Sequence, residues 1–198
     1  SISTTFLTII FWSFGFLRMG TVGLISQALG KADYRELVQT ILRNITIAVL
    51  IALLIIIFKP LLLVLVNKIF TTSAQTKNLI DDYISIRVFS APAELVIYVL
   101  VGFYLGIQKT FISSLLIVIL SILNIIFSIY FVKEFNLNVS GVALGTLLAS
   151  YITIISFSVY TYYFIIKKFK LIPRFDIKKI FNYKKLFRLL NINFNIFI

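Results

Sequence analysis

Three ionisable residues, Arg18, Arg87 and Glu94, sit in stretches of the chain that are otherwise almost purely apolar. With 60% hydrophobic and 13% charged residues and a mean hydropathy of +1.04, the chain reads as a membrane protein, which puts these charges at membrane depth. An Arg near the bilayer centre costs at least about 2.5 to 3.5 kcal/mol, so it must face a partner or a wet cavity. A carboxylate that gains and loses a cationic partner during a conformational change takes up and releases a proton. Arg18 lies twelve residues before Gly30, and Glu94 fifteen before Lys109. At 1.5 Å per residue both are about 20 Å from the inner ends of parallel helices. The two are therefore expected to pair, either as a structural ion pair or with Glu94 as a proton switch.

Two further patterns carry polar chemistry. Pro92, two residues before Glu94, cannot donate a backbone hydrogen bond and pushes the Val88 carbonyl out of the helical ladder. In lipid, freed carbonyls need protein or cavity water, so Arg87, Ser90 and Pro92 mark either a kinked helix lining something polar or a packing kink. Ser114, Ser121, Asn124 and Ser128 stack on one face of an Ile, Leu and Phe helix, a face expected to look inward. There Asn124 either bonds another helix or coordinates a cation or substrate, and the serines act as interhelical glue. Gly102 with Gly106, and Gly141 with Gly145 continuing in step to Ala149, allow helices to approach closely.

Other chemistries are excluded by composition. The absence of His and Cys removes imidazole and thiolate metal sites, cysteine nucleophiles, disulfides and the Ser-His-Asp triad. Seven acids with no phosphate loop and no pairing of nucleophile and base make an enzyme the weakest reading, and neither a metal nor an organic cofactor is expected. The net charge of +12 does not signal nucleic acid, because two thirds of the excess lies between Lys167 and Arg188 in a tail that flanks an apolar stretch, as positive-inside anchors do.

The elements that must position these residues are long apolar runs. Spans are expected near Ile2–Leu29, Thr40–Phe58, Tyr83–Ile107, Phe111–Val132 and Val139–Ile166, giving an all-α polytopic bundle over residues 1–166 and a basic cytoplasmic segment over 167–198. Thirteen Lys and Arg residues fall on the breaks of one side and four, Lys59, Lys68, Lys77 and Lys133, on the other. The N-terminal end is thus expected outside and the tail in the cytoplasm. Leu61–Val66, after Pro60, is too short to span and reads as an external interfacial helix, and Gly30–Asp33 as a turn with Gly30 at the helix C-cap. A chain that starts at Ser1, has its only Met at position 19 and lacks a signal peptide is expected to be missing a preceding helix.

Several stretches in order resemble the multidrug and toxic compound extrusion (MATE) transporters, in particular their DinF-like branch. Phe16–Gly30, with Arg18, Gly23, Gln27 and Gly30, is similar to the second helix of that family; Arg87–Pro92 with Gly102, Gly106 and Gln108 to the fourth; Gly141–Thr146 to the start of the sixth; and Leu190–Asn195 to the start of a seventh. The resemblance implies a fragment covering about helices two to six, most of the N-terminal lobe of a twelve-helix transporter with two lobes around a central pathway. Arg18, Gln27, Arg87, Glu94, Asn124 and Ser128 are then the pathway or coupling candidates. It implies export of amphipathic or cationic compounds against H+ or Na+, in a bacterial inner membrane, with the remaining helices supplied by the same or a separate chain. Family members carry an embedded Asp on the first helix, which this chain lacks, and often a second Asp four residues after an Asn on the fifth, where this chain has Ser128 after Asn124. A lipid-linked precursor flippase of the same superfamily and a non-transporting remnant of a split or decayed gene are the rival readings.

Overall fold

The computed structural model describes residues 2–69 and 74–173, which form helices joined by short turns. In chain order these are α1 (Ile2–Ser13), α2 (Phe16–Gly30), α3 (Tyr34–Ile57), α4 (Lys59–Ile69), α5 (Ala74–Arg87), a 3-10 turn over Val88–Ser90, α6 (Ala91–Gly106), α7 (Thr110–Glu134) and α8 (Asn138–Phe169). Among the described residues five segments are long and apolar enough to cross a membrane: Thr5–Gly30, Tyr34–Ile57, Thr76–Gly106, Thr110–Glu134 and Asn138–Phe169. Runs of Ile, Leu, Val and Phe can be helical there because only helices and closed barrels satisfy every backbone group inside lipid. The basic segment beyond residue 173 and Leu190–Asn195 lie outside the described residues.

Several boundaries move outward from the apolar runs for reasons of capping. The second span starts at Tyr34 rather than Thr40 because the Asp33 carboxylate accepts from the Glu36 backbone N–H at 3.0 Å and caps α3. Gly30 is not the C-cap of the preceding helix, a position that falls to Lys31. Gly30 is the last residue of α2, and the left-handed backbone falls on Ala32, at φ 53°, where Ala32 and Asp33 donate to the carbonyls of Leu29 and Ala28. The connection after α6 repeats the device with Gln108 at φ 60° and a Lys109 N–H to Tyr104 carbonyl bond of 2.7 Å. Leu61–Val66 belongs to α4, which follows α3 after Phe58; its Leu61, Val64, Leu65 and Ile69 are exposed, while Asn67 donates to Asp81 on α5 at 3.0 Å.

The core gathers around α6, buried from Ala91 to Gly106 over most of its surface by α2, α3, α7 and α8. The glycines set the closest approaches. An added Cβ at Gly102 would lie 2.6 Å from the Arg18 carbonyl oxygen, and one at Gly106 2.8 Å from the Ile25 side chain, so α2 and α6 run parallel and nearly touch. Gly145 of α8 meets the backbone of Ser128 on α7, and Gly141 sits against Phe131 and Val132. Interhelical polar bonds add to this packing: Asn44 donates to the Thr21 hydroxyl at 2.8 Å, and the hydroxyls of Tyr104 and Thr161 are 2.7 Å apart.

The serine face of α7 differs from expectation. Ser114 and Ser121 are exposed on the bundle surface, and Asn124 and Ser128 are half-buried; only Ser113 and Leu116 of this helix are buried. The reason is position: α7 packs at one edge of the bundle, mainly on α8, so most of its circumference has no protein neighbour among the described residues.

Candidate transport and coupling site

The third span breaks at the residues before Pro92. Its helical ladder gives way to the 3-10 turn Val88–Ser90, and Pro92 sits in the first turn of α6, where a missing N–H costs nothing. The displaced carbonyls are all taken up. Ser90 Oγ lies 2.7 Å from the Arg87 carbonyl, the Ala91 N–H bonds to the Val88 carbonyl, and the Tyr151 hydroxyl donates to the Phe89 carbonyl at 3.0 Å from across α8. Tyr151→Phe removes the third of these and is expected to cost about 1 kcal/mol, read as a lower midpoint of thermal unfolding in detergent. No change would mean that the Phe89 carbonyl is satisfied otherwise.

Around this break lies an ion pair. The Arg87 guanidinium contacts the Glu94 carboxylate, and both side chains are largely buried, at 13% and 15% exposure. Ser90 joins them: its hydroxyl accepts from Arg87 and has the Arg87 carbonyl and, at 3.2 Å, Glu94 Oε1 as alternative acceptors for its one proton. The guanidinium also stands over the Phe11 ring of α1, 5.2 Å from its centroid. In such a cluster each charge offsets the cost of burying the other.

Glu94 therefore pairs with Arg87 and not, as expected from depth, with Arg18. The depths were counted from helix ends that are not level. Ile25 packs against Gly106, the last residue of α6, so α2 runs on for five more residues, about 8 Å, to its C-terminal end. The Arg18 backbone faces Gly102, eight residues and about 12 Å along the axis from Glu94. Arg18 is exposed on the bundle surface, and its side chain makes no ion pair or hydrogen bond among the described residues.

The other candidates stand apart. Gln27 is exposed near the C-terminal end of α2, where it lines a pocket with Arg43 and Glu36 of α3. Ser128 Oγ is 3.4 Å from Asn124 Oδ1 on the same helix, and no hydrogen bond or ion pair joins this pair to Arg87 and Glu94. Among the described residues no group of three acids stands ready to hold a metal ion. Arg43, one of the thirteen cations counted on one side of the chain, is 3% exposed and paired with Glu36 at 3.5 Å.

A family model, MatE, matches residues 1–130, about two thirds of the chain. The chain belongs to the MatE family. Among curated proteins this MATE chain is similar to DNA damage-inducible protein F of Escherichia coli (strain K12), at 32% identity over 155 residues that make up 78% of the chain and 34% of that protein. Its fold matches an outward-facing multidrug resistance MATE family transporter of the MOP superfamily with a TM-score of 0.80, at 16% identity, over 98% of this chain and 44% of that one. Against an inward-facing transporter of the same description the TM-score is 0.77, at 19% identity, over 93% of this chain and 41% of the other. The chain thus spans about a third of the curated relative and less than half of either solved transporter. The MATE family comprises membrane transporters, not enzymes, and this chain has the multi-pass helical architecture of its members.

Proposed function

We propose that the complete protein is a secondary active exporter that moves amphipathic or cationic compounds out of the cell against a proton or sodium gradient. The observation that carries this reading is the MatE match together with an unpaired Arg18 on the exposed face of α2. A cation in the apolar layer demands a wet or charged neighbour, and a solute pathway bounded by the rest of the transporter supplies one. The similar fit to outward- and inward-facing transporters supports a unit that moves largely as one body between the two states.

Within this unit Glu94 is the coupling carboxylate. Its partner Arg87 borders the helix break, and loosening that contact leaves a buried carboxylate that binds a proton. Gln27, Asn124 and Ser128 are further polar groups for substrate or cation. The weight of Lys and Arg on one side supports a cytoplasmic tail and an external N-terminal end in a bacterial cell membrane. The test is Arg18→Ala in the protein at its full natural length. Drug resistance of the host cell is expected to fall to that of cells without the protein while membrane expression stays the same. Unchanged resistance would remove Arg18 from the pathway.

A further inference from the structure

At the inner ends of α2 and α3 a pocket of about 210 Å³ is lined by Leu24, Gln27, Lys31, Asp33, Glu36, Thr40 and Arg43. The pocket straddles the turn between the spans Thr5–Gly30 and Tyr34–Ile57, with Lys31 and Asp33 in the turn itself, which sets its mouth at the edge of the apolar layer, where lipid headgroups lie. Drug-sized ligands occupy pockets of about 300 to 1,000 Å³, and this one is smaller.

Its chemistry is that of a zwitterion. Lys31, Arg43, Asp33 and Glu36 all line one small space, so the charges balance. A simple anion would be repelled by the carboxylates and a simple cation by Lys31 and Arg43. Two groups there offer unused capacity. Lys31 makes no ion pair among the described residues, and Thr40, only 2% exposed, lines the pocket with a hydroxyl that no described group hydrogen-bonds. Below them Arg43 is held in place by Glu36. Leu24 provides an apolar wall on one side.

We infer that this pocket binds the headgroup of an aminophospholipid, the phosphate against Lys31, Thr40 and Arg43 and the ammonium against Asp33 and Glu36. That the lipid comes from the inner leaflet rests on the orientation proposed above; the site itself does not depend on transport. The experiment is native mass spectrometry of the full-length protein, titrated with phosphatidylethanolamine or phosphatidylglycerol of the same acyl chains. Phosphatidylethanolamine is expected to bind more tightly. Lys31→Ala should weaken it about tenfold, as for loss of one charge-assisted hydrogen bond. Thr40→Val, which keeps the side-chain shape, should also weaken it, and Glu36→Gln should narrow the preference over phosphatidylglycerol. Equal binding of the two lipids, wild-type affinity in both Lys31→Ala and Thr40→Val, or equally tight binding of free phosphoethanolamine would overturn the assignment. Loss of export with lipid selectivity intact would count against the proposed function alone.

Discussion

Gly145→Ala is expected to cost about 3 kcal/mol or more and to pull α7 away from α8. The added methyl would stand 2.5 Å from the Ser128 backbone nitrogen and 2.7 Å from its Cα. Backbone atoms cannot rotate aside as a side chain can, so the helices must part along their shared seam and lose dispersion contacts over several turns. Gly23 and Gly30 provide the control, since nothing lies within 4 Å of a Cβ built at either. Alanine at Gly23 should leave stability unchanged or raise it by up to about 1 kcal/mol through helix propensity. Thermal unfolding in detergent, followed by size-exclusion profile, separates the cases. Equal midpoints for the Gly145 and Gly23 variants would show that the two helices do not meet where the structure puts them.

The second large effect is at the ion pair. Arg87→Met leaves the Glu94 carboxylate buried without its guanidinium and is expected to cost about 3 to 5 kcal/mol, whereas a well-packed apolar pair of similar volume is often neutral. Glu94→Leu in the same chain should therefore recover most of the loss. A double-mutant cycle reads this as a coupling energy well outside the roughly 0.5 kcal/mol scatter of independent sites. Additive effects would mean that Arg87 and Glu94 do not depend on each other, and the coupling role of Glu94 would fall with that result.

How far these sites could be read in advance depended on whether a signal was local. Pro92 marks its own break, because a missing N–H acts on its own helix, and the spacing of Gly102 and Gly106 marks a close approach whatever the partner. Depth is not local. Arg18 and Glu94 were assigned a common level only because nothing in the chain tells how far α2 overshoots α6. The serine face of α7 failed for a related reason, since a polar stripe shows that a helix has two sides but not which side meets protein. Arg43 and Asn44 were legible in part. Leu37, Ile41, Asn44, Ala48, Ala52 and Ile55 recur at three- and four-residue steps and are all buried, so the stripe itself draws Asn44 inward, with Arg43 at its margin. The left-handed residues Ala32, Gln108 and Lys170 carry no side-chain signal for that backbone; only Asn136 does.

The most direct measurement of the central claim is dye flux in proteoliposomes holding the full-length protein, with an imposed proton gradient in one arm and a sodium gradient in the other. The account expects a fluorescent cationic dye to move against its own gradient in at least one arm, to stop when that ion gradient is collapsed, and to be lost in Arg18→Ala. A folded, correctly inserted protein that moves the dye in neither arm, or moves it equally without any ion gradient, would contradict the reading of this chain as part of an ion-coupled exporter.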